Sequence, residues 1–341
     1  MDPQTLNHSP EGQGQDVPKA GPVLLIGGAG YVGLPVAREL LAHGREVTIL
    51  DSLVHGRSHL GFLDHTPRAR LVEGDARDIG LVNRLVSGHR EVVNLAALVG
   101  QPACDRDPAG ALETNYLAAL NVLEACRMHG AGRLVFISTD SCYGTREGER
   151  LDELSELRPI SLYAELKALA ERAILDSPRT AGFSPVVLRL ATVYGMSPRP
   201  RFDLAVNILV REATLNGRAR IFSGEQWRPL VHVDDVARAV RLALAAPAPL
   251  VDRQALNVGS DGQNVQFKDL APLLARTCPK AKIEIVPAEP DLRDYFVKFG
   301  KIERLLGFSP SVGLLEGMTQ IRDSLLAGFP ADPYDGQWRN A

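Results

Sequence analysis

No stretch of this sequence is apolar for long enough to cross a bilayer as a helix, which takes about 20 residues. A membrane-embedded protein is therefore not expected. Cysteine is scarce. The four present are Cys104, Cys126, Cys142 and Cys278, with no CxxC and no metal-ligand spacing. A disulfide scaffold and a metal site are set aside, and reduced, mostly buried thiols in a cytoplasmic protein are expected. Charge of one sign is lacking too. The 41 acidic and 38 basic residues leave a formal net charge of -3, without the basic excess that a nucleic-acid partner demands. A local basic pocket for a diphosphate remains compatible with that balance. Residues 1–21 are polar, rich in Gly, Pro and Gln, and have neither an apolar run nor a cleavage site. They are read as a disordered tail rather than a signal or an anchor. No internal repeat is visible.

What is present is the composition of a globular α/β protein, with 45% hydrophobic and 23% charged residues in 341. That length suits one large unit, or a large unit with a smaller one. Short β-rich runs alternate with helical periods. The spacing predicts strands over 23–26, 46–50, 70–73, 91–97, 133–138 and 185–190. Helices are predicted over 31–43, 108–129 and 160–175. This rhythm implies an α/β fold, a Rossmann-type doubly wound parallel sheet. After Tyr194 the pattern loosens, with Pro198, Pro200 and several arginines. Helices are expected over 202–216, 233–244, 267–276, 302–306 and 314–326, and a strand over 255–258 that rejoins the main sheet. The division predicted is a dinucleotide-binding domain over 22–195, a smaller interwoven substrate-binding lobe over 196–330, and a C-terminal tail over 331–341.

Gly27-Gly28-Ala29-Gly30-Tyr31-Val32-Gly33 lies between the first strand and the first helix. Gly27, Gly30 and Gly33 permit a tight turn and let backbone approach a pyrophosphate at a helix N-terminus. Asp51 ends the second strand. A carboxylate there accepts hydrogen bonds from both ribose hydroxyls and repels a 2′-phosphate, which favours NAD. Arg57, nearby, could meet such a phosphate and leaves NADP open. Asp75, after the third strand, is placed either to meet the adenine amino group or to cap a helix.

Tyr163 and Lys167 sit four apart on one predicted helix and so share a face. Tyrosine, with a reference pKa near ~10, is a poor base at neutral pH. An ammonium one turn away and a positive nicotinamide ring stabilise its phenolate. It can then take a proton from a sugar hydroxyl while hydride leaves the same carbon. Lysine can also hold the nicotinamide ribose. Ser138-Thr139-Asp140-Ser141, near the end of the fifth strand, supplies the hydroxyl expected as third member.

Taken together, GGAGYVG, Asp51, GDARD, NLAALVG, STDSCYG, YAELK, RLATVYG and RPLVHVDDVA resemble the extended short-chain dehydrogenase/reductases of the NAD-dependent nucleotide-sugar epimerase/dehydratase family. The resemblance covers about Pro22 to Leu326. It implies that Thr139, Tyr163 and Lys167 are the catalytic trio. It further implies that Gly27, Gly30, Tyr31, Val32, Gly33, Asp51, Asp75, Ala76, Ala96 and Lys167 hold NAD. Arg228 and Arg293 match arginines that contact a diphosphate, and Asn207 matches a polar residue on a nucleotide-contacting helix. Thr139 would also touch the sugar, and Thr192 stands where many relatives place asparagine. The independent physical case is that a diphosphate needs forked, permanently charged donors, which arginine supplies. His232 is expected to pack rather than titrate, and Cys142 to be a neutral buried thiol.

The implied partner is a nucleotide-diphosphate sugar, and the implied assembly a cytoplasmic homodimer built on the helices before Tyr116 and around Tyr163. Three reactions share this machinery. They are 4-epimerisation, 4,6-dehydration and reduction of a ketosugar. Dehydratases of the family resemble the chain at Ser138-Thr139-Asp140, where the aspartate protonates the departing hydroxyl, but then carry a glutamate as base. Here Ser141 stands in its place and cannot hold a charge at neutral pH. Epimerisation needs no carboxylate pair and is the expected activity. A non-catalytic NAD-binding scaffold is the alternative from another class, disfavoured because the Tyr-Lys pair is intact.

Overall fold

The computed structural model describes residues 21–146, 148–222, 224–287 and 294–340. The tail expected over 1–21 lies outside these apart from Gly21. Seven short runs rich in Val, Leu and Ile form one sheet. They are β1 (Val23–Ile26), β2 (Val47–Asp51), β3 (Ala69–Glu73), β4 (Glu91–Asn94), β5 (Arg133–Thr139), β6 (Ser184–Leu190) and β7 (Gln254–Val258). Their spatial order is β7-β6-β5-β4-β1-β2-β3, and every pairing is parallel.

Parallel sheets bury both faces, and the alternation along each strand sends side chains to two cores. Among the helices are α1 (Gly33–Ala42), α2 (Ile79–Val86), α3 (Ala118–Met128), α4 (Leu162–Leu175), α5 (Ala205–Asn216) and α6 (Val233–Ala245), and Leu270–Thr277 and Leu314–Leu326 are helical as expected. On one face Leu25, Val93, Val135 and Val186 pack with α1 and α6 through Leu34, Ala37, Val236 and Val240. On the other, Leu24, Val92, Leu134 and Val187 meet α2, α3 and α4 through Val82, Val122 and Ile174. A third core belongs to the smaller lobe, where Val206 and Val210 of α5 pack with Leu270, Met318, Ile321 and Trp338.

The α/β class and the return of 254–258 to the main sheet agree with the sequence pattern. Several boundaries moved. The strand expected over 91–97 stops at Asn94, and Leu95 to Ala97 bend away to line the groove described below. The single helix expected over 108–129 is a turn over Pro108–Ala111, a π-helical stretch over Leu112–Leu117 and then α3. Helix α2 was not anticipated. Its signal was an N-cap, Asp78, before Val82, Leu85 and Val86 at helical spacing. Residues set apart as a tail after 330 lie against the smaller lobe, with Trp338 buried.

Strand order reverses at β1, which lies between β2 and β4. In such a sheet the crevice opens at the C-terminal strand ends beside that switch point.

Candidate active site

Two connected spaces occupy that edge. One, of about 300 Å³, is lined by Asp51, His55, Asp75, Ala76, Arg77 and Ala96. The other, of about 450 Å³, runs from Tyr31, Val32 and Gly33 to Thr139, Tyr163 and Lys167. Gly27, Leu95 and Ala97 line both.

The glycine loop is shaped for a dinucleotide. Gly27 has φ +76°, and a Cβ there would lie 2.5 Å from the backbone nitrogen of Ala96. Gly33 is pressed on the loop itself, since its Cβ would fall 2.5 Å from the oxygen of Gly28. Helix α1 starts with no side-chain cap and no acidic residue in its first turn. Uncapped N–H groups and the positive end of the helix dipole suit a pyrophosphate. The residues present fit NAD on this observation.

Asp51 faces the same groove. Its Oδ2 accepts from the N–H of Ala29 at 3.0 Å and its Oδ1 from that of Leu53 at 2.9 Å. Arg57 does not reach the groove and pairs with Glu73 at the surface. Asp75 lines the groove, but it does not cap α2, a role taken by Asp78 through the N–H of Leu81. The Arg77 guanidinium grips the Asp75 carboxylate and holds it below the usual range. His55, missed by sequence reasoning, lines this end. Burial and the charges of Arg199 and Arg201 push its pKa down to about 4, so it is neutral at ordinary pH.

The structure brings Thr139, Tyr163 and Lys167 together in the larger space. Thr139 closes β5, and its Oγ1 accepts from the N–H of Ser141 at 3.2 Å. That leaves the threonine proton free to face outward. Ser161 caps α4 by accepting from the N–H of Ala164, which sets Tyr163 in the first turn of the helix. Lys167, one turn on, donates from Nζ to the oxygen of Ile137 at 2.8 Å, with its ammonium 4.6 Å from the centroid of Phe136. Burial lowers its pKa to about 8. Burial raises that of Tyr163, and the cation that opposes this rise is Arg201.

Arg201 was not singled out from sequence. It lines the cleft with Asp203, Leu204 and Asn340, on the smaller lobe's side. Its Nε and Nη2 donate to the two oxygens of Asp203 at 3.0 and 2.6 Å. The signal in the sequence was an arginine and an aspartate two apart in an irregular stretch.

Asp140, Ser141 and Thr192 also line the cleft. Asp140 Oδ1 accepts from the hydroxyl of Tyr295 at 3.1 Å. Cys142 is buried, and burial pushes its thiol up to about 12. His232 is buried with its pKa lowered, and its Nδ1 accepts from the N–H of Asp234.

Two residues expected at the substrate stand back from these walls. Asn207 is fully buried, with its amide committed to Gly195, Arg201 and Tyr31. Arg228 lies within the strand Trp227–His232. It is buried, its guanidinium 5.3 Å from the ring centroid of Tyr295. Arg293 lies outside the described residues.

Comparison with known proteins agrees with this geometry. Residues 23–259 match the model of the NAD dependent epimerase/dehydratase family. A UDP-glucose 4-epimerase of Corynebacterium glutamicum is 32% identical over 262 residues, 72% of this chain and 77% of its own. The structure of a UDP-glucose 4-epimerase from Thermotoga maritima with UDP-glucose superposes with a TM-score of 0.79 at 30% identity, covering 90% of this chain and 99% of that one. A dTDP-glucose 4,6-dehydratase from Streptomyces venezuelae, solved with NAD bound, gives 0.78 at 29% identity, with 90% and 98% covered.

Proposed function

Since the chain belongs to the NAD-dependent epimerase/dehydratase family, we propose that it is a nucleotide-sugar epimerase acting at C4 through a transient 4-ketosugar. The observation that carries this choice is the set of groups beside Tyr163. The wall formed by the β5 end and α4 holds Thr139, Asp140, Ser141, Tyr163 and Lys167, hence a single carboxylate. Dehydration needs both a base for the C5 proton and an acid for the C6 hydroxyl. Asp203, the other carboxylate among the described residues that line the cleft, is tied to Arg201 by two hydrogen bonds.

In this reading Tyr163 takes the proton of the sugar 4-hydroxyl and later returns it. Thr139 donates to the same oxygen, its own lone pair already engaged by Ser141. Lys167, fixed on Ile137, holds the nicotinamide ribose and stabilises the phenolate. Arg201 adds a second positive charge near Tyr163. NAD, when bound, supplies the acceptor and then the donor of one hydride. Asp51 receives the adenosine ribose and excludes a 2′-phosphate, and Asp75, Ala76 and Ala96 line the adenine end.

The unit over 22–195 would carry NAD and the lobe over 196–330 the sugar nucleotide, with Arg228 and Arg293 as diphosphate donors. A cytoplasmic homodimer completes the proposal. Leu112 and Leu117 of the π-helical stretch and Leu169 of α4 support it, being large apolar side chains left exposed on neighbouring elements. Four free, buried cysteines suit a reducing compartment.

A 4,6-dehydratase is the second reading, favoured by Asp140 on the cleft wall. Incubation with UDP-glucose or dTDP-glucose, without added NADH, tests the two. The C4 epimer of either substrate is expected, and a 4-keto-6-deoxy sugar would overturn the first reading.

A further inference from the structure

The segment Asp335–Asn340 ties the two sides of the NAD groove together. On the smaller lobe, Trp338 is buried in the core and its carbonyl accepts from the N–H of Phe202 at 2.8 Å. Arg199, 1% exposed, donates from Nη2 to the carbonyls of Gln337 and Arg339 at 3.2 and 3.1 Å. Burying a guanidinium is costly unless its donors are used. Here Nη2 is used on this segment, Nε has no hydrogen-bond partner among the described residues, and none of the described carboxylates hydrogen-bonds to Arg199.

On the dinucleotide side, Ser58 donates to the Gln337 side-chain oxygen at 3.1 Å, and His59 meets Trp338 edge-on at 6.3 Å between centroids. His59 in turn contacts the carbonyl of Ala29, inside the glycine loop, through Nε2 at 3.1 Å. The segment thus bridges the glycine loop's own support and the lobe that faces it.

It also delivers a residue into the cleft. The backbone N–H of Asn340 donates to Asp203 Oδ2 at 3.2 Å, beside the two bonds from Arg201. Asn340 lines the space that contains Tyr31, Val32 and Gly33. Its side-chain oxygen is buried and has no hydrogen-bond partner among the described residues. A buried side-chain oxygen without a partner beside a cavity calls for a donor, which a bound ligand can supply.

We propose that residues 335–340 form a strap that closes the NAD groove, with Asn340 as the contact it offers to the cofactor between the glycine loop and Tyr163. A strap of this kind keeps the cofactor in place through both hydride transfers. The inference rests on NAD occupying this groove, and its test separates the two ideas.

Protein loaded with NADH is mixed rapidly with a large excess of NAD, and loss of bound NADH fluorescence gives the release rate. Asn340→Ala and Arg199→Gln should release NADH at least ~10-fold faster than the unaltered protein. Trp338→Ala should do the same if it folds, and Asn340→Ala, which alters no core packing, keeps the test decisive if it does not. Release within about twofold of the unaltered protein in both Asn340→Ala and Arg199→Gln would overturn the strap. So would a changed KM for the nucleotide sugar with unchanged NADH release, because Asn340 would then serve the sugar. Failure of the unaltered protein to bind NADH at all would overturn the cofactor reading and the strap with it.

Discussion

Asp51 and Ala29 are joined by a 3.0 Å hydrogen bond from the backbone N–H of the loop residue to the carboxylate that ends β2. One side chain therefore braces the glycine loop and presents a negative charge to the groove beside it. Asp51→Asn keeps the size and one acceptor, removes the charge, and turns an NH2 toward one of the two backbone N–H groups that Asp51 now accepts from. Preference for NAD over NADP should fall by about 10-fold or more, as expected for losing one charged hydrogen bond and one repulsion. Titration of both cofactors into the apoprotein checks it; an unaltered preference would assign Asp51 to the loop alone.

Tyr163→Phe removes the hydroxyl while preserving the ring in its cleft. Turnover of a nucleotide sugar should fall by about 10² to 10⁴, with NAD binding retained. Near-normal turnover would exclude this phenol as the base.

Lys167 carries a cost in the apoprotein. Its pKa lies at about 8 rather than 10.5 because burial disfavours the ammonium. That displacement corresponds to roughly 3 kcal/mol against folding. The folded pKa is the lower one, so the cost is full below pH 8 and disappears as pH rises to the unfolded value. Lys167→Met should therefore stabilise the apoprotein at pH 7 and have little effect above about pH 10.5, while weakening NAD. Urea melts of the apoprotein across this range, with NAD titrations at pH 7, test the sign. A variant less stable than the parent at pH 7 would show that the bond to Ile137 outweighs the buried charge.

Glu171 and Arg189 form a buried ion pair behind the cleft, with Arg189 also donating to the hydroxyl of Tyr143 at 2.8 Å. Glu171 lies one turn beyond Lys167 on α4, so the pair anchors that helix to β6. Glu171→Gln leaves a buried guanidinium uncompensated and should destabilise by about 3–5 kcal/mol. A urea midpoint close to the parent's would show that the site relaxes or admits water.

The main sheet was legible because its strands are buried on both faces and read as unbroken apolar runs, such as Val23–Ile26. The glycine loop and the spacing of Tyr163 and Lys167 were legible because each is local in sequence. Arg201, Asp203 and Asn340 were not, because they reach the cleft from distant, irregular segments and only the fold assembles them. Asn207 was expected at the nucleotide from the resemblance alone, and its local sequence could not show that the fold commits its amide to Gly195 and Arg201.

An internal hydride cycle at C4 without a base at C5 is tested most directly in heavy water. The protein is incubated in deuterium oxide with its nucleotide sugar and no added NADH, and the product is analysed by mass spectrometry. An isomer of unchanged mass, free of carbon-bound deuterium and formed catalytically, is the product expected of such a cycle. A product lighter by one water and carrying deuterium at C5 would contradict it and give Asp140 the work of a dehydratase. A strict requirement for stoichiometric NADH would contradict it as well, by making the protein a reductase.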